Sequence, residues 1–140
     1  MKKILIVEDE LSYLNLLHKE LTAKGYTVVD AKDGKEGYDS AIAIHPDLII
    51  LDIIMQGVDG LTMLEQLRKD KEGKSMKVIL LTNLELNDQI MQRALATKPL
   101  YYFVKSDITL TALIDKIDEE LADQDIRELT DVDEEHQGVF

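Results

Sequence analysis

Asp47-Leu48-Ile49-Ile50-Leu51-Asp52-Ile53-Ile54-Met55-Gln56-Gly57-Val58-Asp59-Gly60 is the stretch on which the fold turns. Every residue from Leu48 to Leu51 is apolar and Pro46 stands just before them. So short an unbroken run reads as a strand buried on both faces, as in a parallel sheet. Asp52 follows at once. An acid at the point where a buried strand emerges sits at the carboxyl edge of the sheet, where open α/β folds bind their ligands. Taken alone, the stretch equally allows Asp52 to be the first solvated residue of a loop or a helix cap, so the other strands must decide.

Downstream, Asp59-Gly60 opens a helix with Leu61, Leu64 and Leu67 inward, which fades into the charged run Lys69 to Lys74. Met76 to Leu81 read as a fourth strand, Asn87 to Thr97 as a helix, Leu100 to Val104 as a fifth strand and Leu110 to Leu121 as a fifth helix. Upstream, Lys3 to Val7 form a short apolar run. After Glu8-Asp9-Glu10 the pattern becomes helical, with Leu11, Leu14, Leu17 and Leu21 at spacings of three and four, and Gly25 is a natural left-handed stop. Tyr26 to Ala31 alternate as a second strand. Asp33-Gly34 is a turn signal before a helix carrying Tyr38, Ala41, Ile42 and Ile44, closed by Pro46.

Strands alternating with helices imply a doubly wound parallel α/β sheet with helices on both faces. Each strand then delivers its last residues to one edge. For the first, third, fourth and fifth strands these are Glu8-Asp9, Asp52, Thr82 and Lys105. Three carboxylates, a hydroxyl and an ammonium converging where strand order reverses are hard to explain as structure alone.

The composition narrows the chemistry. A chain of 140 residues makes one domain with a real core, and the absence of cysteine removes disulfides, thiol nucleophiles and thiolate metal sites. The net charge of −12 opposes binding to nucleic acid or to anionic membranes and suits cations. The first seven residues resemble a signal peptide, but the apolar run is short and ends in acids, so neither secretion nor a membrane span is expected and a cytoplasmic location is. Clustered carboxylates raise each other's pKa unless a cation intervenes, and magnesium, which works with one or two carboxylates and a phosphate, is the economical choice. A carboxylate beside it can act as a nucleophile and become an aspartyl phosphate. Thr82 and Lys105 would then supply a hydroxyl donor and a compact positive charge for the phosphoryl oxygens.

Over residues 2 to about 122 the chain resembles a two-component response regulator receiver domain. The residues that carry the resemblance are Ile4-Leu5-Ile6-Val7-Glu8-Asp9-Glu10, Asp47 to Asp52 with Met55 and Asp59-Gly60, Leu80-Leu81-Thr82, and Tyr102-Phe103-Val104-Lys105. The resemblance implies a five-stranded flavodoxin-like fold with strand order 2-1-3-4-5. It implies phosphorylation of Asp52 by a sensor histidine kinase or phosphotransfer protein, and magnesium (or manganese) held by Asp9, Asp52 and the backbone carbonyl of Ile54, with Glu8 as an outer acid. It further implies that Thr82 and Tyr102 move together as a switch, changing the face made by the fourth helix, fifth strand and fifth helix. That face would meet a downstream protein target or a second copy in a homodimer. Tyr101 competes for the switch role; Tyr102 is preferred because it lies three residues before Lys105 and alternates with Val104 toward the fourth helix.

Departures from the family pattern are Gln56 in place of proline, Asn83 in place of a small residue, Lys98-Pro99 in place of glycine-alanine, and Ser106 in place of proline. None removes a ligand. Ile54 and Leu84 occupy the two positions that tune dephosphorylation in the family, and two apolar side chains that cannot orient water predict a long-lived phosphoryl group. His18, His45 and His136 show no ligand spacing, Met55, Met63, Met76 and Met91 read as core filling, and Glu10 reads as a first-turn acid.

The expected organisation is a receiver domain over 1–122 and an acidic tail or helix extension over 123–140, too short for an output domain. The expected function is a stand-alone phospho-acceptor that is not an enzyme beyond its own phosphoryl transfer and dephosphorylation. Two alternatives are a magnesium-dependent phosphatase with an aspartyl nucleophile, which would call for an acid where Ile54 stands, and an unphosphorylated receiver-like scaffold in which Gln56 and Asn83 deform the pocket.

Overall fold

The computed structural model describes residues 1–55, 59–83 and 87–122. Gln56, Leu84 and the 123–140 tail, including His136, lie outside the described residues. The chain divides into two units, Met1–Ile108 and Thr109–Phe140.

The first unit alternates β1 (Lys3–Val7), α1 (Leu11–Ala23), β2 (Thr27–Ala31), α2 (Gly34–Ile44), β3 (Leu48–Asp52), α3 (Gly60–Lys69), β4 (Val78–Thr82), α4 (Asp88–Ala96) and β5 (Tyr101–Val104), and then a single 3-10 turn, Lys105–Asp107. All strands are parallel in the order β2-β1-β3-β4-β5, the doubly wound arrangement expected from the alternation. Strand order therefore reverses at β1, beside β3, and the crevice above those two strand ends is the natural ligand site of such a sheet.

Side-chain alternation divides the sheet's two faces. Leu5, Val7, Ile49, Leu51, Val78 and Leu80 join Ala41 of α2, Leu61, Leu64 and Leu67 of α3 and Ala94 of α4 in one core cluster. The strand residues of opposite parity, among them Ile4, Ile6, Leu48 and Ile50, are equally buried and face the other side, where α1 supplies Leu14, Leu17 and Leu21. Both faces of β3 and β4 are buried along their whole length, which is why their sequences run apolar without alternation.

Local chemistry sets the boundaries. Gly25 adopts φ +97° beyond α1, as its position after the helical pattern predicts. Asp33 is a helix cap whose Oδ1 accepts from the Glu36 N–H at 2.8 Å, so Gly34 begins α2 and the expected turn is an N-terminus. Asp59 and Asn87 cap α3 and α4 in the same way. Lys98 takes φ 55°, a left-handed conformation that explains why glycine suits this position and why lysine there is mildly strained. β3 and β4 each run one residue further than the apolar pattern suggested, through Asp52 and Thr82, so both polar residues stand inside the sheet's edge.

The opposite rim of the sheet is tied by Arg68. Its Nε donates to the Thr97 carbonyl (2.8 Å), and its Nη1 to those of Gly73 (3.0 Å) and Met76 (2.6 Å). Burial pulls the guanidinium below its ordinary pKa. The charged run Lys69 to Lys74 is thus anchored at its end by an arginine whose place in the sequence gives no sign of that role.

The second unit carries α5, residues 110–122. Its N-terminus is capped by Thr109, whose Oγ1 accepts from the Ala112 N–H at 3.1 Å, and Leu113, Ile117 and Leu121 recur at four-residue spacing along one side.

Replacing Arg68 by alanine removes the donor shared by the Thr97, Gly73, Lys74 and Met76 carbonyls and is expected to lower the unfolding free energy by about 3 kcal/mol, read by urea denaturation. Arg68→Lys should recover only a minor part, because one ammonium on a single stem cannot reach all of these acceptors.

Candidate functional site

Strand register brings the distant polar residues together. Val7 is paired with Leu51, Asp52 with Leu81, and Thr82 with Val104. Glu8, Asp52, Thr82 and Lys105 therefore leave four adjacent strands within two strand positions of one level. A cleft of ≈ 210 Å³ there is lined by Glu8, Asp9, Glu10, Asp52, Ile54, Thr82 and Asn83.

Glu8 is 2 % exposed, Asp52 5 % and Thr82 0 %, whereas Asp9 is open to solvent. The Glu8 carboxylate is held at both oxygens: Oε1 accepts from the Glu10 N–H at 3.1 Å, and Oε2 lies 2.9 Å from Lys105 Nζ. Asp52 is held likewise, with Oδ1 accepting from the Ile54 N–H at 3.1 Å and Oδ2 3.4 Å from Lys105 Nζ. Lys105 also lies 3.6 Å from Glu10 Oε2 and 4.4 Å from the ring centroid of Tyr13.

Gly60 makes the loop after Asp52 fit. A Cβ there would stand 1.9 Å from the Asp52 carbonyl oxygen, and the Gly60 N–H donates to the Ile53 carbonyl at 2.9 Å. The N-terminus of α3 can close onto the end of β3 only because this residue has no side chain.

The electrostatics follow from burial. Glu8 is pushed up to about 7, first by desolvation and then by the charge of Asp52, with Lys105 opposing. Desolvation also raises Asp52 above the usual carboxylate range against the pull of Lys105 and the Ile54 N–H. Lys105 is raised in turn, because the two carboxylates outweigh its own burial. Burial raises the Tyr13 phenol. One ammonium thus serves two buried carboxylates, and the cleft has room for more positive charge. Ligand oxygens of Glu8, Asp9 and Asp52 lie within 4.8 Å of one another. An all-oxygen donor set with one acid open to solvent fits a hard divalent cation.

Tyr102 packs against the cluster that includes Leu80 and Ala94, so it lies on the α4 side. Tyr101 stacks on Phe103 at 5.3 Å, from alternate positions that face away from it. Ile54 is 46 % exposed at the cleft. His18 sits 2.8 Å from Asp30 Oδ1 and His45 3.6 Å from Glu72, both away from the cleft. Two residues at the site were undervalued in sequence: Glu10, read as a first-turn acid, and Tyr13. Their only signal was position, immediately after the acids that follow β1.

Residues 4–118 match the response regulator receiver domain. The chain belongs to that family. It is 37% identical over 91 residues to RpaA of Synechocystis, a DNA-binding dual master transcriptional regulator, covering 64% of this chain and 38% of that protein. It is 44% identical over 70 residues to PhoP of Bacillus subtilis, an alkaline phosphatase synthesis transcriptional regulatory protein, covering 50% of this chain and 29% of the relative. This receiver therefore spans about a third of the length of these curated relatives. Among solved structures, the response regulator TrrA of Thermotoga maritima, in complex with Mg2+ and BeF, is 35% identical with a TM-score of 0.73, covering 85% of this chain and 98% of its own. A CheY-like receiver domain protein of Methanospirillum hungatei is 27% identical with a TM-score of 0.80, covering 91% and 98%. As a receiver, the chain belongs to two-component signalling. Among the described residues no helix is long and apolar enough to cross a membrane.

The raised carboxylates give a signed pH effect. Between 4.5 and about 7 the folded protein holds a proton on Glu8 that the unfolded chain has lost, so stability falls as pH rises through that window, by up to about 3 kcal/mol. In chelator-treated protein the melting temperature should drop from pH 5.5 to 8, Glu8→Gln should flatten that slope, and millimolar Mg2+ should raise the midpoint more at pH 8 than at pH 5.5.

Proposed function

We propose that the chain is a phospho-acceptor: Asp52 takes a phosphoryl group from a phosphohistidine on a sensor kinase or phosphotransfer protein and passes the signal to a downstream protein. The observation that carries this reading is the pairing of Asp52, buried and held by the Ile54 N–H and Lys105, with an acid cluster that can hold a divalent cation.

In the reaction an Asp52 carboxylate oxygen attacks phosphorus, a P–O bond forms, and the P–N bond to the donor histidine breaks. The imidazole leaves with the electron pair. Burial limits hydration of the carboxylate, and the Ile54 N–H and Lys105 fix its plane. Lys105 then faces the phosphoryl oxygens with a charge that its neighbours keep fully protonated. Thr82, at the end of β4, offers a hydroxyl to the same oxygens. Asp9 and Asp52, with the Ile54 carbonyl and Glu8 behind them, would hold magnesium, which supplies charge neutralisation for the entering group.

The downstream step is a population shift. The added charge draws the Thr82 hydroxyl inward, and Tyr102, on the α4 side, follows into the vacated space. The face carrying α4 and β5 would then meet its target or a second copy. The relatives' names as transcriptional regulators support a protein target within a regulatory pathway. On this reading the chain is not a turnover enzyme. The phosphatase alternative gains nothing from Ile54, whose half-exposed hydrocarbon can neither donate nor accept a proton.

Incubation with Mg2+ and a small acyl phosphate should add one phosphoryl group to the protein by intact mass, and none to Asp52→Asn. Many turnovers of released phosphate would support the phosphatase, and no adduct from any donor would support the scaffold. The phosphoryl group should persist well beyond seconds after donor removal, since Ile54 cannot align a water; rapid loss would refute that part.

A further inference from the structure

We propose that Tyr13 is a positioning residue for Lys105: its ring, together with the Glu10 carboxylate, seats the lysine ammonium so that it presents to Asp52 from a fixed side. The inference rests on the phospho-acceptor reading and deepens it.

Lys105 is poorly placed to hold itself. It follows the last residue of β5 and begins a 3-10 turn, so the parallel ladder no longer constrains it. Its stem has four rotatable bonds, whose freedom is costly to remove. Yet its side chain is only 5 % exposed, with the ammonium 2.9 Å from Glu8, 3.4 Å from Asp52 and 3.6 Å from Glu10. Tyr13 adds a contact of a different kind, its ring centroid 4.4 Å from Nζ, within the range of a cation–π contact that strengthens with desolvation.

The ring differs in kind from the carboxylates. Glu8 and Asp52 are also the groups that a cation or an entering phosphoryl group would engage, whereas the ring offers neither a ligand nor a nucleophile, so it is the constant part of the seat. Tyr13 can hold that place because it lies on the first turn of α1, next to Leu14, which is fixed in the core. No hydrogen bond of the Tyr13 hydroxyl is present among the described residues, so the ring and not the phenol carries the role.

Labelling of the full chain by acetyl phosphate and Mg2+, followed by intact mass, should be slowed about five- to twentyfold by Tyr13→Leu, and Tyr13→Phe should restore the rate to within about twofold. In a Lys105→Ala background Tyr13→Leu should add nothing. In metal-free, donor-free protein, the Lys105 ε-methylene protons should be shifted upfield by the ring in wild type and Tyr13→Phe and return to ordinary positions in Tyr13→Leu. Wild-type labelling rates in Tyr13→Leu, the same slowing without Lys105, or unshifted protons in wild type would overturn the seat. Failure of the wild type to label at all would instead overturn the phospho-acceptor reading, and the proton shifts would still judge the seat.

Discussion

One cation shared between two buried carboxylates is the constraint on which the rest depends. Lys105 touches both Glu8 and Asp52 at the end of a sheet whose interior is otherwise hydrocarbon. Removing charges from water is expensive, and a single ammonium leaves the pair under-compensated. The arrangement costs stability and makes the site receptive to further positive charge. A sheet with both faces covered is stiff enough to hold such a cluster, and this is the physical sense in which the core serves the site.

The cluster also depends on backbone closeness that few residues permit. Gly60 lets α3 close on the Asp52 carbonyl, and Asp59 caps the helix that begins there. At the far rim Arg68 ties the turn before β4 to the end of α4 through backbone carbonyls. The two rims thus use opposite chemistry: the upper concentrates carboxylates around a lysine, while the lower spends an arginine on neutral acceptors.

Membership of the receiver family accounts for the strand order and for the recurring acids, threonine and lysine. Around these groups Ile54 presents hydrocarbon to the cleft, Asn83 lines it, and Tyr13 with Glu10 closes on Lys105. These neighbours act on how firmly the shared chemistry is held, through solvation and side-chain freedom, without altering the reacting groups.

The sequence by itself determined the α/β alternation and the strands' parallel sense, because apolar runs without alternation at Leu48–Leu51 and Val78–Leu81 can be buried only between two helix layers. It also determined which strands end in chemistry, since Glu8, Asp52, Thr82 and Lys105 stand directly after those runs. It left Arg68 and Tyr13 unread and gave Glu10 only the role of a first-turn acid, because a charged or aromatic residue on a helix carries no local sign of which distant group it will meet. Only the tertiary structure decided the register, Val7 against Leu51, Asp52 against Leu81 and Thr82 against Val104, that lets one ammonium reach two carboxylates and an aromatic ring. Those are distances between residues far apart along the chain, and they are set by sheet pairing and packing, which no local pattern encodes.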